Sequence, residues 1–287
     1  MSTVLGVTIV FSGLSSVAQA QLSPILPVPS QLFVDNTTTP EANSPLSNQP
    51  DLDLLAKTVA NFVKSERYQT ESELELNATS SGTTLRSSAQ VKTLAQSPQQ
   101  FHSEITFGTP GRSGGRQYIV VSNGKQVWIY QPDLKQYAVS DYANFNKSDN
   151  SFLIGMSSSL FLEIAPEFKS MRVQGSISDQ NIREVLVEML RSENALITGG
   201  RSSIEGRDYY VYEYTDPKEG YTINALVSPD QATVEQIRIM SKSEGVDVVI
   251  NEKILRRVEN PAITPDTFNF APPPGAKKVK SISLEPF

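Results

Sequence analysis

The feature that most constrains this fold is a change in the repeat of apolar residues, from helical spacing to every second position, made twice along the chain. Leu52, Leu55, Val59, Phe62 and Val63 recur at helical spacing behind Asp51, a good helix N-cap, so an amphipathic helix is expected up to about Ser65. From Tyr68 to Asn77 the period is two, with Leu74 and Leu76 on one face and Glu71, Glu73 and Glu75 on the other. Ser88–Leu94, Phe101–Phe107, Tyr118–Val121, Val127–Tyr130 and Gln136–Val139 read as further strands, separated by Gly, Pro, Asn and Ser. These connections are too short for parallel crossovers, so the strands must form an antiparallel meander.

Helical spacing then returns. Phe152, Met156 and Leu160 form one stripe, with Leu153, Phe161 and Leu162 beside it. They predict a single helix over Phe152–Ile164, with Pro166 helping to end it. Ile182, Val185, Leu186, Met189 and Leu190 give a cleaner stripe and predict a helix over Asp179–Arg191. Strands follow at Ala195–Thr198, Tyr209–Tyr214, Thr222–Val227, Thr233–Met240 and Val246–Leu255. Phe268–Phe270 is expected as a short edge-like segment stopped by Pro272, Pro273 and Pro274. The fold class is therefore α+β: a large antiparallel sheet with helices inserted in the middle.

The 287 residues divide into three stretches by composition. Val4–Leu14 is an apolar run of signal-peptide length, and Ala18-Gln19-Ala20 is a small-x-small cleavage pattern. Residues 1–20 are thus expected to direct export to a periplasmic or equivalent compartment. Met1-Ser2-Thr3 lacks the usual positive charge, which leaves an uncleaved anchor as the alternative. Residues 21–50 are rich in Pro, Ser, Thr and Asn without apolar periodicity and read as a disordered leader. One folded domain occupies 51–287.

Few chemistries survive the residue inventory. The chain has no cysteine, which excludes disulfides, thiolate metal sites and lipidation at cysteine. A net charge of −6 argues against a nucleic-acid partner. His102 is the single histidine and sits in a strand pattern, so a Ser-His-Asp hydrolase or zinc site has nothing else to build on. The loop Gly108–Gly115 is glycine-rich but lacks the ending of a phosphate loop and precedes a strand. Lys277, Lys278 and Lys280 read as a solubilising tail. No catalytic residue, cofactor or metal is expected.

What remains is apolar surface in excess of a simple core. Val127, Trp128, Ile129 and Tyr130 are apolar on both faces of one strand. The hairpin Ser122-Asn123-Gly124-Lys125-Gln126-Val127-Trp128-Ile129-Tyr130-Gln131-Pro132 resembles one of the LolA family of periplasmic lipoprotein carriers. Thr267-Phe268-Asn269-Phe270-Ala271-Pro272-Pro273-Pro274-Gly275-Ala276 is similar to that family's C-terminal signature, and Phe152-Leu153-Ile154 sits where the family has an apolar lid segment. The resemblance runs from about Asp51 to Val279 and extends to the wider LolB, LppX and RseB-like superfamily. It implies an open half-barrel of antiparallel strands, a helical lid, and acyl chains bound between them. It also implies a monomeric carrier of lipid or acylated lipoprotein, with an inner- or outer-membrane delivery partner, or alternatively an RseB-like envelope sensor. The family ties its lid shut with an Arg before a Pro; the matching dipeptide here is Ser97-Pro98, so the latch does not carry over.

On that reading the cavity is lined by Tyr118, Val120, Trp128, Tyr130, Phe152, Met156, Leu160, Phe161, Ile223 and Ile239. At about 0.8 kcal/mol per buried CH₂, one long acyl chain offers roughly 10 kcal/mol before association costs.

Overall fold

The structure is a computed structural model that describes residues 49–108, 115–148, 150–163, 166–192, 196–216, 220–243 and 245–282. The expected signal segment, nearly all of the leader and most of the glycine-rich loop lie outside the described residues. Helix α1 (Leu52–Val63) begins as its sequence predicts: Asp51 is the N-cap, and its carboxylate accepts from the Leu54 amide at 2.9 Å. Six strands follow, β1 (Arg67–Ser80), β2 (Thr83–Gln96), β3 (Gln100–Gly108), β4 (Arg116–Asn123), β5 (Gln126–Gln131) and β6 (Gln136–Asp141). A helical insert comes next. It holds α2 (Tyr142–Asn146), a 3₁₀ turn (Ser151–Ile154), α3 (Met156–Leu162), α4 (Pro166–Gln174) and α5 (Asp179–Ser192). Then come β7 (Leu196–Ile204), β8 (Arg207–Asp216), β9 (Tyr221–Ser228), β10 (Thr233–Ser243), β11 (Val246–Glu259) and β12 (Lys277–Lys278).

All twelve strands belong to one sheet, in the order β12-β6-β5-β4-β3-β2-β1-β11-β10-β9-β8-β7. Two meanders, β1 to β6 and β7 to β11, join where β11 pairs antiparallel with β1 in the centre. The sheet therefore has two free ends and does not close into a barrel. This topology also places the insert. β6 and β7 stand ten strand positions apart, about 48 Å along a flat sheet at ~4.8 Å per strand. A chain leaving one and entering the other must cross a face of the sheet.

Cross-strand pairs show which face. Partnered residues point the same way, and one continuous row runs Tyr212, Ala225, Ile237, Glu252, Leu74, Ala89, Phe107. This inner face carries the main core, including Leu74, Leu76, Phe101, Ile105 and Ile250, packed with Leu153, Ile154, Phe161 and Leu162 of the insert. A second cluster lies between helices: Ala56, Ala60 and Val63 of α1 against Phe168 of α4 and Ile182 of α5. A third sets Tyr210, Tyr212 and Val227 of the sheet against Leu54 and Leu55 of α1.

Four local expectations are corrected. The single helix over Phe152–Ile164 is two pieces, because Gly155 takes φ +96° between the 3₁₀ turn and α3, a backbone conformation that breaks a helix. Pro166 opens α4; a first helical position needs no amide hydrogen, so proline is suited there. Phe268–Phe270 is not an edge strand, since Thr267 and Asn269 donate their amides back to Thr264 and Asp266 in successive turns. The edge is instead formed by Lys277–Lys278, the supposed tail. It pairs parallel with β6, with Lys277 N to Lys135 O at 2.8 Å and Val279 N to Tyr137 O at 2.9 Å.

Candidate functional site

The strand that is apolar on both faces has a cover on each side. Val127 and Ile129 point to the inner face and join the main core. Trp128 and Tyr130 point outward, where Phe270 packs on Trp128, Tyr130 and Tyr137 at ring-centroid distances of 6.2, 5.8 and 5.7 Å. Trp128 and Tyr130, expected in the ligand cavity, are therefore on the far side of the sheet from the helical insert. Period two decides this: their neighbours Val127 and Ile129 already occupy the inner face.

The apolar cavity lies at the other half of the sheet, between the helices and β8–β10. Its volume is about 200 Å³. Leu55, Thr58, Val59, Phe62 and Val63 of α1 form its roof, and Leu186 and Met189 of α5 with Phe168 of α4 form a side wall. Tyr212, Ala225, Val227, Val234 and Ile237 are its floor, and Tyr68, Ser157 and Leu160 close one end. No lining residue carries a charge. Phe62, Tyr68 and Phe161 pack as an aromatic cluster at that end, with Phe62 edge-on to both partners and Tyr68 stacked on Phe161 at 5.4 Å.

Of the expected lining, Leu160 faces the cavity. Phe161 stands behind its aromatic end. Met156, Tyr118, Val120 and Ile239 are buried in the main core on the same face, and Ile223 packs against them. The side chain of Phe152 lies outside the described ones. Outside the expected set the cavity is lined by the floor residues of β8–β10, by Tyr68, Ser157 and Phe168, and by residues of α1 and α5. Their amphipathic stripes were legible, but a stripe does not say whether it faces a packed wall or a gap.

A second feature had no sequence signal. A polar seam crosses the inner face under α3 and the 3₁₀ turn. Thr93 Oγ1 donates to the Ile154 carbonyl at 2.6 Å and bonds Ser103 at 2.7 Å, and Thr70 bonds Ser158 at 3.0 Å. Glu252, fully buried in the central row, accepts from the Ser157 amide at 2.7 Å and from its hydroxyl at 3.0 Å. Gly155 has no side chain to cap α3, and Glu252 reaches across from the sheet to accept there instead. Burial pushes the Glu252 carboxyl above the usual carboxylate range, against the opposing pull of the Ser157 hydrogen bonds. Tyr212 is likewise held above the usual phenol range by burial, while its hydroxyl donates to the Asp51 carbonyl at 2.6 Å and anchors the start of α1.

His102 is on the outer face. Its Nδ1 is 3.1 Å from the Thr267 carbonyl and its Nε2 is 3.9 Å from Glu104. With Lys92 and Asp266 it borders a cleft of about 320 Å³ beneath the C-terminal segment. No hydroxyl is hydrogen-bonded to it among the described residues, so the geometry of a hydrolase triad is not assembled there. No group of three or more His, Asp or Glu placed to hold a metal occurs among the described residues. No helix among them is long and apolar enough to cross a membrane.

No family model matches the chain, and no curated protein does. Solved structures give similarities of overall architecture. An uncharacterized conserved protein from Thermus thermophilus is 11% identical over 80% of this chain and 98% of its own, with a TM-score of 0.40. LprF from Mycobacterium bovis is 11% identical over 78% of this chain and 100% of its own, with a TM-score of 0.39. A LolA superfamily protein from Nitrosomonas europaea is 12% identical over 75% of this chain and 97% of its own, with a TM-score of 0.29.

Proposed function

We propose that this protein is a non-enzymatic binder or carrier of acyl chains in an exported compartment, holding them in the cavity between α1, α5 and β8–β10. The observation that carries this reading is the cavity itself: about 200 Å³, with no charged side chain on its wall. An apolar cavity of ~150 Å³ stays dry and takes benzene, six carbons, as a guest. One a third larger takes a guest of about eight carbons, worth roughly 6 kcal/mol gross at ~0.8 kcal/mol per CH₂. Association costs reduce that to a weak and reversible affinity. The cavity as it stands thus suits a medium-length chain or the end of a longer one, and a carrier must release what it holds.

The hairpin at Ser122–Pro132 and the Thr267–Ala276 segment, both similar to LolA-family sequences, support the same reading. The test is to express the full chain in a bacterial host with export, purify it without detergent, and examine it by native mass spectrometry. Adducts that extract into organic solvent as lipid or acylated peptide are expected. A bare mass, unchanged after incubation with lipid vesicles, would remove the acyl-carrier reading.

A further inference from the structure

Arg257 is bonded to two residues of the cavity lining, Tyr68 and Val234, and has no acidic partner among the described residues. It lies opposite Thr70 in the β1–β11 pairing, which sets its side chain on the inner face. Its guanidinium is 5.7 Å over the Tyr68 ring, donates through Nε to the Tyr68 hydroxyl, and donates through Nη2 to the Val234 carbonyl. Tyr68 and Val234 both line the cavity. Two protein contacts therefore fix the orientation of one cation beside an uncharged chamber.

Arg256, next in sequence, is 3.5 Å from Glu71, and Arg183 is 2.8 Å from Asp53. Arg257 has no carboxylate at ion-pair distance among the described residues, and no hydrogen-bond partner for its Nη1 group. The two acids near Tyr68 do not fill that place. Glu252 is engaged by Ser157, and Glu259, opposite Tyr68, is exposed. A desolvated cation without a counter-charge is costly, and an incoming anion removes that cost.

We propose that Arg257 receives the anionic head group, a carboxylate or a phosphate monoester, of a single-chain amphiphile whose tail fills the cavity. This rests on the acyl reading of the cavity given above. Tyr68 and Val234 hold two donor edges of the fork, and Nη1 with the remaining Nη2 hydrogen faces the anion. Bidentate pairing of this kind suits both oxyanions.

The experiment compares three ten-carbon probes, decanoate, decyl phosphate and 1-decanol, by isothermal titration or displacement of a fluorescent fatty acid, on the full chain. The anions are expected to bind at least tenfold tighter than the alcohol. Arg257→Gln should remove that preference by weakening the anions and leaving decanol unchanged. The tighter anion of the two separates a free fatty acid from a phosphorylated lipid as the source. Decanol binding as tightly as the anions, or a preference unchanged in Arg257→Gln, overturns the role of Arg257 and leaves the acyl cavity standing. Failure of all three probes removes the acyl reading itself. If Arg257→Gln does not fold, Arg257→Lys gives the same readout. An ammonium has three donors on one atom, so once bonded to Tyr68 and Val234 it cannot pair an anion bidentately and its anion preference should fall; an undiminished preference overturns the proposal.

Discussion

Replacing Glu252 with Gln separates the charge of the buried seam from its hydrogen bonds. The amide oxygen still accepts from the Ser157 amide, and the amide nitrogen can donate to the Ser157 hydroxyl, whose rotor is free to accept. Burial favours the neutral acid in the folded chain, whereas the unfolded chain releases its proton near 4.5. Between 4.5 and the higher folded value, the native state holds more protons than the unfolded state. The stability that this site contributes is therefore complete below the unfolded value and falls as pH rises. One proton sets a maximum slope of about 1.4 kcal/mol per pH unit. Below pH ~4 both states are protonated, and wild type and Glu252→Gln should agree within about 1 kcal/mol. As pH rises, the difference should grow in favour of Gln and level off once the folded carboxyl ionises. Urea unfolding of both proteins from pH 4 to 8 measures this, and subtraction cancels the other titrating groups. A pH-independent difference, or one that grows in favour of Glu, would refute a neutral buried acid.

Gly155→Ala meets two obstacles: a φ of +96°, and a new Cβ 2.9 Å from Glu252 Oε1. A loss of about 2 kcal/mol in thermal or urea unfolding is expected, shrinking in a Glu252→Ala background where only the backbone part remains. Phe270→Ala uncovers the outer aromatic row. Trp128 is the only tryptophan, so its emission should shift to the red and become quenchable by acrylamide, with a stability loss of about 1–3 kcal/mol. Ala225→Phe, on the cavity floor, should cost about 1–3 kcal/mol and abolish decanoate uptake; uptake at wild-type affinity would put the ligand elsewhere.

Residue periodicity made most of the elements legible. The Asp51 cap, the alternating faces of β1 and the α5 stripe all stand where spacing puts them, because each is decided within a few residues by burial of one side. Errors came where distant residues decide. Met156 to Leu162 reads as a continuation of the preceding apolar run until Gly155 is seen to turn the chain so that Ser157 meets Glu252, 95 positions away. Ser157, Ser158 and Ser159 look like indifferent helix positions. Two of them bond the buried sheet, and the third closes on the Ser151 carbonyl at 2.8 Å. Trp128 and Tyr130 show the complementary limit. Alternation separates them from Val127 and Ile129, but only the C-terminal segment tells which pair faces the helices.

The cavity and the seam adjoin on one face and meet at Ser157, and the way each part is covered accounts for both. Over β11 and β1–β3 the cover is short, a 3₁₀ turn and a helix of seven residues, and it is hydrogen-bonded straight to the sheet by Thr93, Thr70 and Glu252. Such bonds hold the segment at contact distance, so its apolar side chains join the main core. Over β8–β10 the cover is α1, and its attachments lie at its ends. Asp51 is bonded to Tyr210 and Tyr212, and Asn61 reaches the carbonyls of Gln231 and Ala232 at 3.2 and 3.3 Å. Between those points α1 divides its apolar surface. Ala56, Ala60 and Val63 pack on α4 and α5, leaving Leu55, Val59 and Phe62 to span the distance to the sheet. Small alanines draw helix to helix, and a helix drawn toward its neighbours stands off the floor beneath it. Enlarging Ala60, fully buried between the helices, to Leu should cost about 1–3 kcal/mol in urea unfolding and push α1 toward the sheet, so the cavity should contract and decanoate affinity, read by titration, should fall; an unchanged affinity would refute this account.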